Sequence, residues 1–392
     1  MLNEPIIVLH IIPSLSKGGI ESFLLNQYSV ADKQRYRFDF LVLDGKYSPY
    51  EREIRDLGGS VYYADVNLGS VYHLLGNFIK LAKHLRKLEY SILHTHNNTL
   101  NGIVILASIL SRGKKITYVS HSHGSDFSDN MKGGLARRLI YAHLFKQLTI
   151  RLPHLRLACG EKAGRALYGR NEFKIIHNSI DLKRFMFCPE EDCEKFRQAV
   201  DIPAGAKRIY GNISRFDTGK NFPFIVEIFS RIHQMEPDSY LILGGSDSIS
   251  QDDSTKETVS NKIRELHLEE NVRITGQWDN LAPFYHSIDC LIFPSLSEGL
   301  SISAIEAQAA SLAIVASTNV TEEIDMGLGL VEFCDLSSSP LVWAEAAVRS
   351  RRYDGKDKTI IERKMSERGY NMMGNHELTD CYENILLCRK SV

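Results

Sequence analysis

The segment PSLSEGLSISAIEAQAA, residues 294–310, places two carboxylates around the start of a predicted helix. Glu298 lies in a glycine-containing turn after the buried run CLIFPS, and Glu306 follows eight positions later. Backbone N–H groups at a helix N-terminus, here at 299–302, have no partner inside the helix and can bind an anion. The segment therefore predicts an anion site, with Glu298 directed into a cleft and Glu306 able to bind a ribose diol.

The residues between the two acids belong to the same predicted site: Gly299, Leu300 and Ser301. A structural interpretation of Glu306 stays open, because Ser303 and Glu306 have the S-x-x-E spacing of a capping box. Glu298 has no comparable structural explanation, although a turn glutamate can simply be exposed to solvent.

Two cations follow another predicted strand, in the segment ISRFDTGKNFPF. Arg215 and Lys220 flank a turn that contains Gly219 and precedes a helix. Arginine binds phosphate oxygens as a planar fork, lysine binds them as a point charge, and a helix N-terminus adds to both. The pair predicts a diphosphate site, and the alternative is two solvated surface cations.

A pair of glycines, Gly18 and Gly19, separates the first predicted strand from a helix in PSLSKGGIESFLL. Glycine allows a ligand to approach the backbone closely, and the helix start offers N–H donors to an anion. An ordinary helix-entry turn without a ligand is the alternative. The chain contains neither the G-x-G-x-x-G motif of dinucleotide-binding proteins nor the G-x-x-x-x-G-K-[ST] motif of P-loop proteins.

Four histidines end two predicted strands in pairs: His94 and His96 in HTHN, and His121 and His123 in SHSHG. Spacing of i, i+2 puts both members of a pair on one face of a strand. We expect them to line a cleft and to donate hydrogen bonds to substrate hydroxyls. Burial in the core is one alternative. A metal site is another, disfavoured because no H-E-x-x-H helix or nearby cysteine set accompanies them.

Short apolar runs alternate with longer amphipathic runs along the chain. PIIVLHII and FDFLVL predict buried strands, IESFLLNQYSVAD predicts a helix, and the alternation restarts after about residue 205 with KRIYGNIS. This order predicts an α/β fold with two doubly wound parallel-sheet domains that face a central cleft. Ligands in such folds bind outside the carboxyl ends of the strands.

The 392 residues are too many for one ordinary core, which favours two domains. We predict an N-terminal domain over 1–180 and a C-terminal domain over 181–369, with a helix at about 370–392 packing back on the first. The polar segment IIHNSIDLKRFMFCPEED is predicted to be an irregular linker, and QDDSTKE at 251–257 a surface loop.

Composition restricts the partners and the compartment. A net charge of −1 gives no field that would require nucleic acid. The 7 cysteines include no C-x-x-C, which indicates reduced thiols in the cytoplasm. No export signal is visible, and the longest apolar run, IVILASIL, is far below the roughly 20 residues of a membrane span. A soluble protein, or one that lies on a membrane surface, is expected.

Together the motifs resemble the glycosyltransferases of family 4, which use nucleotide sugars and have the GT-B fold. The most specific match is the E-x7-E pattern of Glu298 and Glu306, and the Gly-Gly turn, SRFDTGKN and ITGQWDNLAPFYHSIDCLIFPS also match, in the family's order. The linker phrase HNSIDLKRF supplies three further positions: Asn178, Asp181 and Phe185. The chain departs from the common pattern at Ser179, where glycine is usual, and at Leu300, where phenylalanine is usual.

In the predicted C-terminal domain, the resemblance implies that Arg215 and Lys220 hold the donor diphosphate. Glu298 would bind hydroxyls of the donor sugar as a catalytic residue, and Glu306 would bind the ribose. Three more positions are expected to bind the donor: Gly299, Leu300 and Ser301.

In the predicted N-terminal domain, the resemblance implies that Gly18 and Gly19 lie close to the phosphates or the sugar. A histidine after the fourth strand would lie beside the reacting carbon, and the register of SHSH leaves open whether it is His121 or His123. The expected acceptor-side residues are His94 and His96.

The reaction implied is the transfer of a hexose from a nucleoside diphosphate to a hydroxyl of a glycan or of a lipid-diphosphate-linked acceptor. It would proceed with retention at the anomeric carbon, in surface polysaccharide assembly. No metal or other cofactor is expected, because Arg215 and Lys220 would stand in for a cation and the chain has no D-x-D motif. Two alternatives are a GT-B nucleotide-sugar epimerase and a non-catalytic sugar-nucleotide-binding protein.

A cationic segment runs from Met131 to Gly160, with six lysines and arginines and no acid. It would suit an anionic membrane or a lipid-diphosphate acceptor, at the inner face of the cell membrane. The alternative is a packed helix whose cations extend to solvent.

Overall fold

A computed structural model of the chain describes residues 4–16, 18–48, 50–69, 73–113, 115–124, 135–246, 254–298, 300–355 and 357–390, with backbone only at 135–142 and 390. The chain forms two compact units. Unit 1 comprises residues 1–179 and 372–392, and unit 2 comprises residues 180–371.

In the described part of unit 1, seven strands form one parallel sheet in the order β3-β2-β1-β4-β5-β6-β7. The strands are β1 (Ile6–Ile12), β2 (Tyr36–Val42), β3 (Val61–Tyr63), β4 (Ile92–Thr95), β5 (Thr117–Ser122), β6 (Leu155–Ala158) and β7 (Lys174–Ile175). From β1 the chain adds β2 and β3 on one side of the sheet, and it then crosses to the other side of β1 to add β4 to β7. The direction in which strands are added therefore reverses between β1 and β4.

Helices cover both faces of this sheet, and the apolar run of β1 shows why. Val8 and Ile12 belong to one hydrophobic layer, whereas Leu9 and Ile11 belong to the other. A strand buried on both faces has a nearly continuous apolar sequence. The helices of unit 1 are α1 (Gly19–Val30), α2 (Glu51–Asp56), α3 (Leu74–Lys87), α4 (Asn101–Arg112), α5 (Leu135–Arg151), α6 (Glu161–Tyr168) and the C-terminal α15 (Glu377–Lys390).

In the described part of unit 2, six parallel strands follow the order β10-β9-β8-β11-β12-β13. The strands are β8 (Arg208–Ile213), β9 (Ser239–Gly244), β10 (Val272–Ile274), β11 (Cys290–Phe293), β12 (Ala313–Ser317) and β13 (Val331–Cys334). The helices are α7 (Leu182–Met186), α8 (Glu190–Ala199), α9 (Phe222–Met235), α10 (Thr255–Glu265), α11 (Ala282–Ser287), α12 (Ile302–Ala309), α13 (Pro340–Arg349) and α14 (Thr359–Glu367). Here the order reverses between β8 and β11. The two parallel sheets agree with the sequence-based prediction.

The linker prediction was wrong in its detail, because the segment after Ser179 is partly helical. Asp181 caps α7 by accepting a hydrogen bond from the backbone N–H of Arg184 at 3.4 Å. Three acids occupy the first turn of α8, where they complement the helix dipole: Glu190, Glu191 and Asp192. The short helices were missed because their polar composition resembles that of a loop.

One further prediction needs correction, and several elements were missed. The predicted loop QDDSTKE ends before Thr255, where α10 begins as the helical pattern of TKETVSNKIRELHL predicts, while residues 251–253 lie outside the described residues. Strands β6, β7 and β13 and helices α6 and α13 were not predicted.

The start of α4 lies very close to α5, and glycine makes this approach feasible. A Cβ atom at Gly102 would lie 2.3 Å from the backbone nitrogen of Thr149. Gly102→Ala should therefore force the helices apart and lower the free energy of unfolding by about 1–3 kcal/mol, measured by urea denaturation.

The matched control is Gly76→Ala in α3, where a Cβ atom would meet nothing within 4 Å. The control should gain about 0.5–1 kcal/mol, because alanine loses less backbone entropy than glycine in a helix. Equal effects of the two substitutions would contradict the argument from close approach.

Candidate active site

Both predicted residue pairs of unit 2 follow the two strands at which the strand order reverses. Arg215 and Lys220 come after β8, and Glu298 and Glu306 come after β11. Strands β8 and β11 are parallel neighbours, so these loops leave the same edge of the sheet. The crevice beside such a reversal is the usual ligand site of open α/β sheets.

Lys220 and Glu298 form an ion pair between Nζ and Oε1. Their side chains are only 21% and 13% exposed. Water therefore screens the two charges poorly, and each charge depends on the other for compensation. The structure brings together one cation and one acid that the sequence analysis assigned to a single site.

Backbone and amide hydrogen bonds join the loops on which these side chains stand. The N–H of Leu296 donates to the carbonyl of Gly219 at 2.8 Å, and the amide of Asn221 donates to the carbonyl of Pro294 at 3.3 Å. Asn221 adopts the left-handed conformation, with φ 56°, as it turns the chain into α9. The position of Lys220 relative to Glu298 is therefore set by the main chain as well as by their charges.

Arg215 is partly buried, and its charge acts on the nearby Asp217. Burial raises the pKa of Asp217, while Lys220 and Arg215 oppose that rise and Glu298 adds to it. Two cations of this loop and Glu298 of the neighbouring loop thus lie close enough to Asp217 to affect its carboxyl. Asp217 was not predicted as a site residue, although its place in R-x-D-x-x-K between the two predicted site cations was a usable signal.

Glu306 lies in the second turn of α12 and accepts a hydrogen bond from the hydroxyl of Tyr285 at 2.7 Å. Burial raises its pKa to about 7, against the opposing effects of Tyr285 and of the Arg184 charge. Phe185 of α7 packs edge-on against the Tyr285 ring, at 5.9 Å between centroids. The linker phrase ending in D-x-x-x-F therefore supports the surroundings of Glu306.

The capping-box interpretation of Glu306 is not what the structure shows. Ser301, not Ser303, is the N-cap residue of α12, and its side chain makes no capping bond. The hydroxyls of Ser301 and Ser303 contact each other at 2.9 Å. Ser301 and Leu300 are buried, and Gly299 lies outside the described residues.

In unit 1, Gly18 is the N-cap residue of α1, which begins at Gly19. Gly18 has an extended backbone, with φ −161°, so its conformation alone does not require glycine. The expected closeness of Gly18 and Gly19 to a ligand stays a prediction.

The predicted histidines lie together in unit 1, with one more that the sequence analysis did not assign to the site. We call this group the histidine cluster: His10, His94, His96, His121 and His123. His10 pairs with His94 across β1 and β4, and the histidine within the apolar run PIIVLHII was the signal for it.

Ring nitrogens connect the cluster. Nε2 of His96 lies 3.0 Å from Nδ1 of His10. Nδ1 of His96 lies 2.8 Å from Nε2 of His123. His94 Nδ1 lies 2.6 Å from the hydroxyl of Tyr382 on α15. His121 stacks on His94, with centroids 5.3 Å apart.

Burial lowers the pKa of every histidine in the cluster. The pKa falls to about 3 for His10 and His123. For His94, His96 and His121 it falls well below the usual range, because burial and neighbouring histidines act together. At neutral pH these imidazoles are neutral, and each offers one donor and one acceptor nitrogen.

Asn101, at the start of α4, holds the two histidine-bearing strand ends in place. Its side-chain oxygen accepts from the Thr95 hydroxyl at 2.9 Å and from the Asn97 backbone N–H at 2.6 Å. Its amide donates to the Ser120 hydroxyl at 2.9 Å and to the His121 carbonyl at 3.1 Å. Nothing in the spacing of HTHN and SHSHG indicated this residue.

Two family models match the chain: "Glycosyltransferase Family 4" over residues 17–184 and "Glycosyl transferases group 1" over residues 194–323. Together they match most of the sequence. The chain is a glycosyltransferase with a family 4 domain and a group 1 domain. The family and the enzyme class expected from the motifs are thus confirmed.

Three curated relatives illustrate the similarity. The glycosyltransferase resembles EpsF of Bacillus subtilis, named as a glycosyltransferase, at 28% identity over 94% of both chains. It resembles CapH of Staphylococcus aureus, named as a capsular polysaccharide biosynthesis glycosyltransferase, at 23% identity over 86% of this chain and 88% of CapH. An α-1,3-galactosyltransferase of Escherichia coli, named for UDP-Gal and a GlcNAc-diphosphoundecaprenol, is 25% identical over 62% of this chain and 61% of its own.

Solved structures confirm the GT-B fold of the glycosyltransferase. HepE of Anabaena, crystallised with UDP and glucose, superposes with a TM-score of 0.74 at 16% identity, covering 97% of this chain and all of HepE. WaaG, described as a glycosyltransferase of lipopolysaccharide biosynthesis, gives a TM-score of 0.66 at 12% identity. The match covers 93% of this chain and 94% of WaaG. In the described residues of the glycosyltransferase, no helix is long and apolar enough to span a membrane.

The raised pKa of Glu306 makes a prediction about stability. The Glu306 carboxyl has a pKa of about 7 in the folded protein and a reference value of 4.5 for the unfolded chain. As the pH rises, it therefore keeps its proton to a higher pH in the folded protein than in the unfolded chain. Its stabilising contribution is therefore fully present below pH 4.5 and is lost as the pH rises to about 7. Urea denaturation should show the stability of the wild type, relative to Glu306→Gln, falling across this window and levelling above it.

Two variants control this measurement. Tyr285→Phe removes the hydrogen bond that favours the ionised form, so the fall should extend to higher pH. Glu345→Gln, at an exposed position on α13, should differ from the wild type by a nearly constant amount. A flat profile for Glu306→Gln would show that burial does not control this carboxyl.

Proposed function

We propose that the enzyme transfers a hexose from a UDP-sugar to a hydroxyl of a lipid-diphosphate-linked or glycan acceptor, with retention at the anomeric carbon. The observation that carries the proposal is the meeting of Lys220 and Glu298 at the strand reversal of unit 2. The names of the curated relatives support a role in the assembly of surface polysaccharides.

Arg215 and Lys220 would bind the donor diphosphate. The leaving group is a diphosphate that gains negative charge as the bond to the sugar breaks. Preorganised cations and helix N–H groups stabilise that charge most effectively where water is scarce, and the first turn of α12 and the partly buried Lys220 offer such surroundings. UDP is the nucleotide we favour, because HepE was crystallised with it.

The ion pair of Lys220 and Glu298 would open when the donor binds. A diphosphate oxygen can replace the carboxylate as the partner of Lys220. Glu298 is then free to accept hydrogen bonds from hydroxyls of the donor sugar, as the resemblance implies. Until then the pair keeps both charges compensated in a poorly hydrated place.

Glu306 would bind the two hydroxyls of the ribose. The ionised carboxylate accepts both hydrogen bonds, whereas the protonated form has one oxygen occupied by its proton. Because the pKa of Glu306 is about 7, the ionised fraction and hence donor affinity would fall on acidification.

No divalent metal is needed for the donor diphosphate in this proposal, because Arg215 and Lys220 supply the positive charge. Donor turnover should accordingly be insensitive to added Mg²⁺. The histidine cluster would lie on the acceptor side, with His123 beside the reacting carbon. His123 is the better candidate than His121, because it is partly exposed whereas His121 is fully buried.

We also propose that the enzyme works in the cytoplasm, as a peripheral protein at the inner face of the cell membrane. Much of the cationic segment from Met131 to Gly160 lies outside the described side chains. Helix α3 gives firmer support: Leu75 and Ile79 are 73% and 47% exposed, and Lys83 continues the same face at i+4. Exposed apolar and basic residues on one helix face are typical of binding to anionic lipid.

Replacing Ile79 by Asp and Lys83 by Glu together should abolish sedimentation with phosphatidylglycerol vesicles, because the double variant removes both the apolar and the cationic contact. Arg170→Glu, at an exposed cation elsewhere in unit 1, should retain it. Wild-type protein that fails to sediment with these vesicles would end the membrane proposal, and the transfer proposal would be unaffected.

The transfer proposal is tested by Lys220→Ala and Glu306→Ala. Each should lower kcat/KM for the UDP-sugar by about 100-fold or more, because each removes a charged contact to the donor. The matched control is Lys207→Ala, an exposed cation before the opposite end of β8, which should change turnover little. Product formation on a lipid-diphosphate acceptor is the measurement, and circular dichroism verifies folding.

Near-normal turnover in both variants would refute the site assignment. Isomerisation of the donor without any acceptor would indicate the epimerase alternative instead. Inversion at the anomeric carbon, read by NMR of the product, would refute the stereochemical part of the proposal.

A further inference from the structure

Unit 1 buries an unusual number of imidazoles at one edge of its sheet. Five nitrogens of the histidine cluster are buried without a hydrogen-bond partner among the described residues: Nε2 of His10, Nε2 of His94, both nitrogens of His121, and Nδ1 of His123. A buried polar atom without a partner costs about 1–3 kcal/mol. A ligand bound by the cluster would be expected to satisfy some of these nitrogens, and His121 is the residue with both nitrogens to offer.

We infer that the histidine cluster is a binding site for a late first-row transition-metal ion such as Zn²⁺, with His96, His121 and His123 as its ligands. One nitrogen of each of these residues lies within 4.8 Å of one nitrogen of each of the others. Three ligands at 2.0–2.1 Å from a tetrahedral ion lie roughly 3.3–3.5 Å apart. The 4.8 Å limit leaves the three nitrogens up to about 1.5 Å further apart than this spacing, and side-chain rotation would have to close that gap.

The chemistry of the donor set selects the ion. All three ligands are imidazoles, which suit zinc, copper, nickel and iron, whereas Mg²⁺ and Ca²⁺ prefer oxygen ligands. The pattern of three protein ligands with one position open is that of zinc sites which bind water or a substrate oxygen. His123 is partly exposed, which gives the ion a route from solvent.

His10 supports this ligand set rather than joining it. If His96 binds the ion through Nδ1, which faces His123, its Nε2–H is free to donate to Nδ1 of His10 at 3.0 Å. A metal-binding histidine normally donates its other N–H to such a partner, which fixes its tautomer and orientation. His10, His94 and His96 also meet the distance condition, but all three are fully buried and offer no route from solvent.

This site shares His123 with the acceptor side of the proposed transfer but includes none of the donor-binding residues of unit 2, and the inference does not rest on the proposed transfer. It is tested on the full chain, stripped with a strong chelator and desalted, without donor or acceptor. Isothermal titration with ZnCl₂ should show one equivalent bound. Co²⁺ in place of Zn²⁺ should give the visible absorption of a tetrahedral site.

Variants locate the ion. His96→Gln and His121→Gln should each weaken binding by more than about 100-fold, and His10→Gln by about 10–100-fold. The control His143→Gln changes an exposed histidine of α5 in the same unit and should leave binding unchanged. His121 has no hydrogen-bond partner for either ring nitrogen in the described residues, so His121→Gln should fold, which a cooperative thermal melt recorded without Zn²⁺ verifies.

Absence of Zn²⁺ binding by the wild type would overturn the inference. Undiminished Zn²⁺ binding by His121→Gln would overturn it as well. This holds even if His94→Gln loses binding, because the ion would then bind the other group of three histidines. Because only binding is measured, either result would leave the transferase proposal standing.

Discussion

The ion pair of Lys220 and Glu298 joins two loops that are 78 residues apart, and the geometry of the candidate site in unit 2 depends on it. Parallel strands make the pair feasible, because the ends of β8 and β11 emerge side by side at one edge. Both side chains are largely withdrawn from water, so neither charge is stable there alone. The same withdrawal from water raises the pKa of Asp217 and of Glu306.

In unit 1 the candidate site also lies where the strand order reverses, but its buried groups are neutral instead of charged. Its strand order reverses between β1 and β4, and the histidine cluster occupies that edge. Asn101 uses both atoms of its amide to hold the ends of β4 and β5, and Gly102 lets α4 approach α5 directly behind it. One dipeptide at the start of α4 thus joins the packing of unit 1 to the arrangement of its histidines.

Much of the architecture could be predicted, because apolar runs and turn residues report local structure. Strands β1–β5 and β8–β12, and the positions of Arg215, Lys220, Glu298 and Glu306 after their strands, follow from such patterns, whereas β6, β7 and β13 were missed. The short helices α7 and α8 were missed, since their stability depends on caps and packing more than on apolar periodicity. The capping box at Ser303 was a spacing that the helix did not use, because α12 begins one residue after Ser301.

Local sequence patterns were enough to select the candidate site residues: two acids, two cations and paired histidines, each placed after a strand. Tertiary structure alone decided their partners. It paired Lys220 with Glu298, placed Tyr285 against Glu306, and added His10 to the histidines through its register with His94. The physical reason is that the order of strands in a sheet, and the loss of water around a side chain, depend on contacts between segments far apart in the chain, which no local pattern records.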